Sequence, residues 1–366
     1  MTVYVDHTHL GRRRVTGIER VTTELFSRRS LLPVELTPVT AKGAVDMVMT
    51  QTVGLPLLLS DASTVLLCPG FPPSPLLLPF STRVIPYIHD LFLMTRPGDL
   101  NARAKLYMSK PFRLAVRRYP RFLVNSLDTA RKLAVFCRSD AEILTYRPKV
   151  RNVFGAEMTG HDRRNDEATA LRLLAIGTVE PRKNYLYAAR ILEVLRSTGF
   201  ADATLEIAGR NGWGPDWRQL AREPGVILSG YQSAEEVKQR LQQADALLCT
   251  SHEEGLGLPL LEAQYAGIPV VAPDDTVFHE VLGDSGVYID RSDPRSSALT
   301  IASMIEQRGR LSRYRELNAR NLARWNGLAD DDRLQVSEMI ATLPQLNTRR
   351  RAAGLLHRAT ARGNGR

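Results

Sequence analysis

The chain has 366 residues, 43% of them hydrophobic and 24% charged, which exceeds what one hydrophobic core usually serves, so two globular domains are expected. No run reaches the roughly 18 apolar residues of a membrane span, the N-terminus MTVYVDHTHL alternates like a strand and not like a signal peptide, and Cys68, Cys137 and Cys249 lack metal or redox spacing, so a reducing, cytoplasmic setting is expected. The net charge of +10 is uneven: residues 1–155 hold 22 Lys/Arg against 11 Asp/Glu, residues 156–343 hold 21 against 28, and residues 344–366 hold six Arg and no acid, so the first half should meet an anionic partner such as a membrane surface, a lipid phosphate or nucleic acid.

In chain order, VYVDH reads as a strand and Gly17 to Ser27 as a helix. The apolar stretch Val53 to Phe80 is broken by Pro56, Pro69, Pro72, Pro73, Pro75 and Pro79, which predicts short strands and loops. Strands TVLLCPG and RVIPYIHDL end in polar loops. RFLVNS is a further strand, followed by a helix from Leu127 to about Phe136. The irregular segment RNVFGAEMTGHDRRNDEATA, with Gly155 and Gly160, reads as the linker. Beyond it, strands LRLLAIG, ATLEIAG, GVILSG, DALLCTS and IPVVAP alternate with helices YLYAARILEVLRSTG, SAEEVKQRLQQA and LPLLEAQYAG. Ser233 and Glu236 form a capping-box pattern.

Apolar strands alternating with helices predict an α/β fold with parallel sheets. Two such series predict two Rossmann-like domains facing each other across a cleft, followed by C-terminal helices. The expected domains are 1–155 and 156–330. A helix over 331–346 is expected near the N-terminal domain, and 347–366 as a basic tail, disordered or membrane-associated. Walker A, GxGxxG, HExxH and Ser–His–Asp signatures are absent, which argues against a nicotinamide dehydrogenase.

Five constellations could carry chemistry. GTVEPRKN, Gly177–Asn184, follows a strand and opens a helix, where free N–H groups with Arg182 and Lys183 would suit a diphosphate. A plain basic helix cap fits the same pattern, but two cations there oppose the helix dipole, which suggests a negative group between them. Glu254 and Glu262 flank the tight loop of Gly255 and Gly257, with Glu254 in the loop and Glu262 near the start of the next helix. A carboxylate at such a place can bind ribose hydroxyls; a helix acid complementing the dipole reads alike. His89–Asp90 ends a strand, where a neutral His could meet a sugar hydroxyl or serve only structure; His7 and His9 are similar but less well placed. Thr16–Gly17–Ile18–Glu19–Arg20 offers backbone donors or is a plain helix start. The segment 101–121 mixes Arg103, Lys105, Lys110, Arg113, Arg117, Arg118 and Arg121 with apolar residues, as on an anionic membrane surface or on a solvated basic helix.

Together these motifs resemble family four of the retaining glycosyltransferases, of GT-B fold. GTVEPRKN looks like that family's diphosphate loop, EIAGRNGWG its following glycine loop, and EEGLGLPLLEAQYAGIPVVAP its donor core; TGIERV, YIHDL and FLVNSLDTARKL match its N-terminal half. The resemblance implies that Arg182 and Lys183 hold the donor diphosphate and that Glu262 binds the ribose. Glu254, Gly255, Leu256, Gly257 and Leu258 would contact sugar and phosphates. Gly17 and Gly177 would lie by the phosphates, His89 by the transferred sugar, and Gly209 and Arg210 near the nucleotide. Leu256 stands where the family usually has Phe, which would reshape the sugar pocket. The implied activity is hexosyl transfer from a nucleotide-diphosphate sugar, with GDP-mannose favoured, to a saccharide or lipid-linked glycan in surface polysaccharide or lipopolysaccharide assembly. It implies retention of configuration, with no metal and no cofactor, the nucleotide sugar being a co-substrate. The alternatives are a GT-B sugar-nucleotide epimerase and a non-catalytic nucleotide-sugar-binding protein. Expected partners are the donor, the acceptor and an anionic membrane touched peripherally at its inner face, with no nucleic acid.

Overall fold

The computed structural model describes residues 1–10, 17–96, 98, 108–156 and 170–363, with side chains up to residue 343. The chain divides into two compact units. Unit one holds Met1–Pro148 with Leu328–Arg366, and unit two holds Lys149–Gly327. The first division falls at Pro148, seven residues before the boundary expected at 155. Of the expected linker, residues 157–169 lie outside the described set.

Unit one is built on a six-stranded parallel sheet of order β2-β1-β3-β4-β5-β6. Its strands are β1 (Thr2–Asp6), β2 (Leu36–Val39), β3 (Thr64–Cys68), β4 (Val84–Ile88), β5 (Arg121–Val124) and β6 (Glu142–Thr145). Every residue of β3, β4 and β5 is buried, as a sheet covered on both faces requires. The strand order reverses between β1 and β3, so the carboxyl ends of these strands form a topological switch point, where such sheets bind ligands.

Unit two repeats the plan with order β12-β11-β10-β7-β8-β9, again parallel. The strands are β7 (Arg172–Ile176), β8 (Thr204–Ala208), β9 (Val226–Gly230), β10 (Ala246–Leu248), β11 (Val270–Pro273) and β12 (Gly286–Ile289). The helix Tyr185–Ser197 buries Tyr185, Tyr187, Ala188, Ala189, Ile191, Leu192 and Leu195, a stripe at helical spacing that packs with Ile301 and Ile305 of the helix Pro294–Glu306. The helix Ala234–Gln243 begins with a complete capping box of Ser233 and Glu236. The order reverses between β7 and β10, so this switch point lies at the loops after Ile176 and Leu248.

Several elements depart from the sequence reading. Residues 44–58, of which the part from Val53 was read as strand and loop, form a helix, a π-helical turn at Thr50–Gly54 and the short helix Leu55–Leu58. Pro56 sits in the first turn of that short helix, where its missing N–H costs nothing. A single helix spans Arg310–Gly363. Within unit one, its Asp332 takes both Arg147 Nη1 (2.7 and 2.8 Å) and the Arg147 amide (3.0 Å), and Ser337 donates to the Leu31 carbonyl at 3.0 Å. Within unit two, its Trp325 is fully buried and Asn318 donates to the Ile268 carbonyl at 2.9 Å. The backbone is helical through 347–363, the stretch expected as a disordered or membrane-associated tail, and its Ala, Leu and Arg content favours that conformation. Among the described residues no helix is long and apolar enough to cross a membrane.

Candidate functional site

The switch point of unit two brings the loops after β7, β8 and β10 together. Gly177 ends β7 with φ at 143°, and its amide donates to the Ala208 carbonyl at 3.0 Å. Gly209 follows β8 so closely that a Cβ there would lie 1.8 Å from the Gly177 carbonyl oxygen. Only glycine permits this backbone approach, which the Val179 amide extends by donating to Arg210 at 2.8 Å. Pro181–Lys183 forms one 3-10 turn, Asn184 turns left-handed at φ 53°, and the helix starts at Tyr185. Arg182 and Lys183 therefore precede the long helix instead of opening it.

The β10 loop is stitched onto this turn. The Thr250 hydroxyl donates to the Lys183 and Asn184 carbonyls, both at 3.0 Å, and the His252 amide donates to the Arg182 carbonyl at 2.8 Å. Glu254 is thereby aimed at the two cations. It accepts from Lys183 Nζ at 2.6 Å, Arg182 Nη1 at 3.2 Å and the Ser251 hydroxyl at 2.6 Å. Arg182 Nε also pairs with Glu180. Burial of Glu254 alone would raise its carboxyl. The charges of Lys183 and Arg182, with hydrogen bonds from Lys183 and Ser251, outweigh this and hold it at about 2. Glu180 goes the other way: burial raises it despite Arg182 and Lys183.

The negative group that the two cations implied is thus supplied by Glu254 and Glu180. Lys183 gives Glu254 one of its three donors, and the ammonium lines a small pocket with Tyr185, Ser251, Glu254, Gly257 and Leu260. A cationic turn beside a loop of close-packed backbone is chemically suited to a diphosphate. Glu254 is ionised at any pH well above 2, so it holds no proton to donate near neutrality.

The other expected residues of this unit fall around that turn. Gly257, at φ 79°, begins the helix Leu258–Ala263, with Pro259 in its first turn. Gly255 and Leu258 are partly exposed and Leu256 is buried, so the Leu that replaces the expected Phe packs inward. Glu262 lies in the second turn of the helix and is 4% exposed. Arg210 stacks over the exposed ring of Tyr231 at 4.6 Å. Thr250, Ser251, Glu180 and Tyr231 are participants that the sequence reading did not single out. Thr250 and Ser251 were read as the end of the strand DALLCTS, where small hydroxyls carry no periodic signal.

Unit one has its own polar edge. His89 follows β4 and is partly exposed. Its Nε2 lies 2.7 Å from the Pro69 carbonyl, which can only accept, so Nε2 carries the hydrogen and Nδ1 is the ring's acceptor. Burial lowers its pKa to about 4, against the upward pull of the Pro69 bond, so the ring is neutral near pH 7. Asn125 donates to the His89 carbonyl at 2.7 Å, fixing the turn. His89 itself lines a pocket together with Ile18, Phe71, Pro72, Asp90, Met108 and Phe112. His9, judged less well placed from sequence, sits at the same sheet edge; its ring packs on Gly70, where a Cβ would lie 2.3 Å away. Gly17 is the first residue of the exposed start of the helix Gly17–Leu25, and Thr16 lies outside the described residues.

Of the basic segment, residues 101–107 with Arg103 and Lys105 lie outside the described residues. Lys110, Arg113, Arg117 and Arg118 are exposed on the helix Ser109–Arg118, whose Phe112, Ala115 and Val116 face inward. Arg121 does not belong to that surface. It is buried in β5, pairs with Glu142 at 2.9 Å and donates to the Thr82 carbonyl at 3.1 Å.

Residues 161–321 match the profile of the family described as glycosyl transferases group 1. The chain is 34% identical over 125 residues to the O-antigen chain mannosyltransferase B of Escherichia coli, covering 33% of each chain. It is 34% identical over 88 residues to the O-antigen chain mannosyltransferase RfbU of Salmonella typhimurium, covering 24% of this chain and 25% of that one. A serotype-specific mannosyltransferase WbdA of Escherichia coli is 30% identical over 140 residues, which is 37% of this chain and 17% of the relative. The chain thus spans a third or less of the length of these curated relatives. Among solved structures, Anabaena HepE in complex with UDP and glucose aligns over 93% of this chain and all of that one, with a TM-score of 0.62 at 15% identity. Sucrose-phosphate synthase from Thermosynechococcus elongatus aligns over 93% and 98%, with a TM-score of 0.66 at 12% identity. Residues 161–321 are thus similar to the glycosyl transferases group 1 family, and the two Rossmann-like units have the GT-B fold.

Proposed function

We propose that the chain transfers a hexose, mannose first among candidates, from a nucleoside-diphosphate sugar to a saccharide or lipid-linked glycan acceptor. The observation that carries this is the cationic turn of Arg182 and Lys183, held against Glu254 at the switch point of unit two. In the reaction, an acceptor hydroxyl bonds to the anomeric carbon as the bond to the β-phosphate oxygen breaks. The nucleoside diphosphate leaves with the bonding electrons, and the acceptor proton goes to the leaving phosphate. Arg182 and Lys183 would meet the charge that develops there, the kind of electrostatic stabilisation that is usually the largest catalytic contribution. They would do so without a metal ion. Glu262 would take the ribose, while Glu254, Gly255, Leu256, Gly257 and Leu258 would border sugar and phosphates. Gly17 and Gly177 would lie by the phosphates, with Gly209 and Arg210 near the nucleotide. His89, neutral, would accept a hydrogen bond from a sugar hydroxyl through Nδ1. Same-face attack, with retention of configuration, is the stereochemistry we assign.

GDP-mannose is the favoured donor because several relatives are named as mannosyltransferases. The exposed Lys110, Arg113, Arg117 and Arg118 would bring the protein peripherally to an anionic membrane surface in surface polysaccharide assembly. Thermal unfolding with a panel of nucleotide sugars tests the donor. A ligand at 100 times its Kd stabilises by about 2.7 kcal/mol, so GDP-mannose should raise the midpoint most. No shift with any nucleotide sugar would refute the reading.

A further inference from the structure

The chain from Ser251 to Glu254 has a second anchor, Arg291. Arg291 follows β12, and its Nη1 donates to the carbonyls of Ser251 at 2.7 Å and His252 at 2.6 Å. Its Nη2 pairs with Asp275 Oδ2 at 2.6 Å. The fork thus ties the segments after β10, β11 and β12 together, one nitrogen to two carbonyls and the other to a carboxylate.

Two features mark this as a built arrangement. Asp275 occupies the N-cap position of the helix Thr276–Leu282, where an Asp side chain ordinarily accepts an amide of the first turn. It makes no such cap and is turned to Arg291 instead. The turn that carries Arg291 is braced on both sides. The Asp290 carbonyl accepts from the Tyr187 hydroxyl at 2.5 Å and the Ser297 hydroxyl at 2.8 Å, and the Asp290 carboxylate accepts from Ser292 at 2.7 and 2.8 Å. Arg291 therefore projects from a fixed platform.

We infer that Arg291, held by Asp275, is a positioning residue for the donor diphosphate site. It orients two successive carbonyls, Ser251 and His252, and so fixes the direction in which the chain enters Glu254. Through the His252 amide it also fixes the Arg182 carbonyl, 2.8 Å away. Arg291 acts on the cations through the backbone and touches no reacting atom. The inference rests on the proposed nucleotide-sugar reading for its functional consequence, and on the geometry alone for its structural one.

The test uses the full chain with Arg291→Ala and Arg291→Lys, read by hydrogen exchange and by titration with GDP. Arg291→Ala should speed exchange of the His252 amide about tenfold or more while the β8 amides of Leu205 and Ile207 keep their protection. It should weaken GDP about tenfold, equivalent to one decade in Kd. Lys, a single point charge, should restore less than half of either loss on a logarithmic scale. Added guanidinium ion at low millimolar concentration should rescue Arg291→Ala, and ammonium should not, an effect that a merely structural lesion would not show. Unchanged His252 exchange in Arg291→Ala would overturn the inference, as would full restoration by Lys. If wild-type protein bound neither GDP nor UDP, the nucleotide-sugar reading would fail, and the exchange data would still decide whether Arg291 positions the loop.

Discussion

Replacing Glu254 by Gln removes one charge from a buried cluster and keeps its shape. The carboxyl titrates at about 2 instead of the ordinary 4.5. That fall corresponds to about 3 kcal/mol favouring the ionised form in the folded protein. Because the folded value is the lower one, the stabilisation is complete above about pH 4.5 and is lost as pH falls toward 2. Glu254→Gln should therefore cost about 3 kcal/mol at pH 7 and roughly half as much at pH 3, where the wild-type carboxyl is largely protonated once unfolded. Tryptophan fluorescence is a suitable probe, because the three tryptophans, Trp213, Trp217 and Trp325, all lie in unit two, where Glu254 is. Urea unfolding of both proteins at the two pH values gives the difference directly. A cost that is equal at pH 7 and pH 3 would show that the loss comes from packing, and the ion-pair account of Glu254 would be wrong.

Three further outcomes follow from the geometry. Gly209→Ala places a methyl 1.8 Å from the Gly177 oxygen, so the two loops must part; destabilisation of about 1–3 kcal/mol is expected by the same fluorescence assay. Asp332→Asn leaves the buried Arg147 without its carboxylate and should cost about 3 kcal/mol of unit-one stability, read by circular dichroism during urea unfolding. His89 should titrate near pH 4 by NMR of its ring carbons; unit one then loses stability as pH falls from about 6.5 to 4, and a midpoint near 6.5 would contradict the neutral ring.

The fold of unit two was the more legible. Its strands LLAI and VVAP are apolar throughout, LEIA is apolar but for Glu206, and Gly177 and Gly209 follow LLAI and LEIA, so both the parallel sheet and its loops could be read. The turn Pro181–Lys183 and the loop to Gly257 were legible because Gly, Pro and paired charges are required there for backbone reasons. What escaped were short edge strands. β2, with Pro38 inside it, and β6, half exposed, have little apolar pattern and depend on their neighbours. Residues 44–58 escaped because Pro56 reads as a helix breaker, although a first turn tolerates it. The partners of the cations were hidden for another reason. Glu254 and Lys183 lie 71 positions apart, and Arg291 acts through carbonyls, which have no sequence signature.

If the turn of Arg182 and Lys183 serves sugar transfer from a nucleoside-diphosphate sugar, the transfer must depend on those cations. That dependence is tested most directly by following radiolabelled mannose from GDP-mannose into a lipid-linked glycan acceptor, with wild-type protein and Lys183→Ala. Wild type should yield labelled glycan and the variant should lose on the order of 100-fold or more, with tryptophan fluorescence still reporting a folded unit two. Full transfer by Lys183→Ala, or release of free mannose by wild type with none in the acceptor, would contradict it.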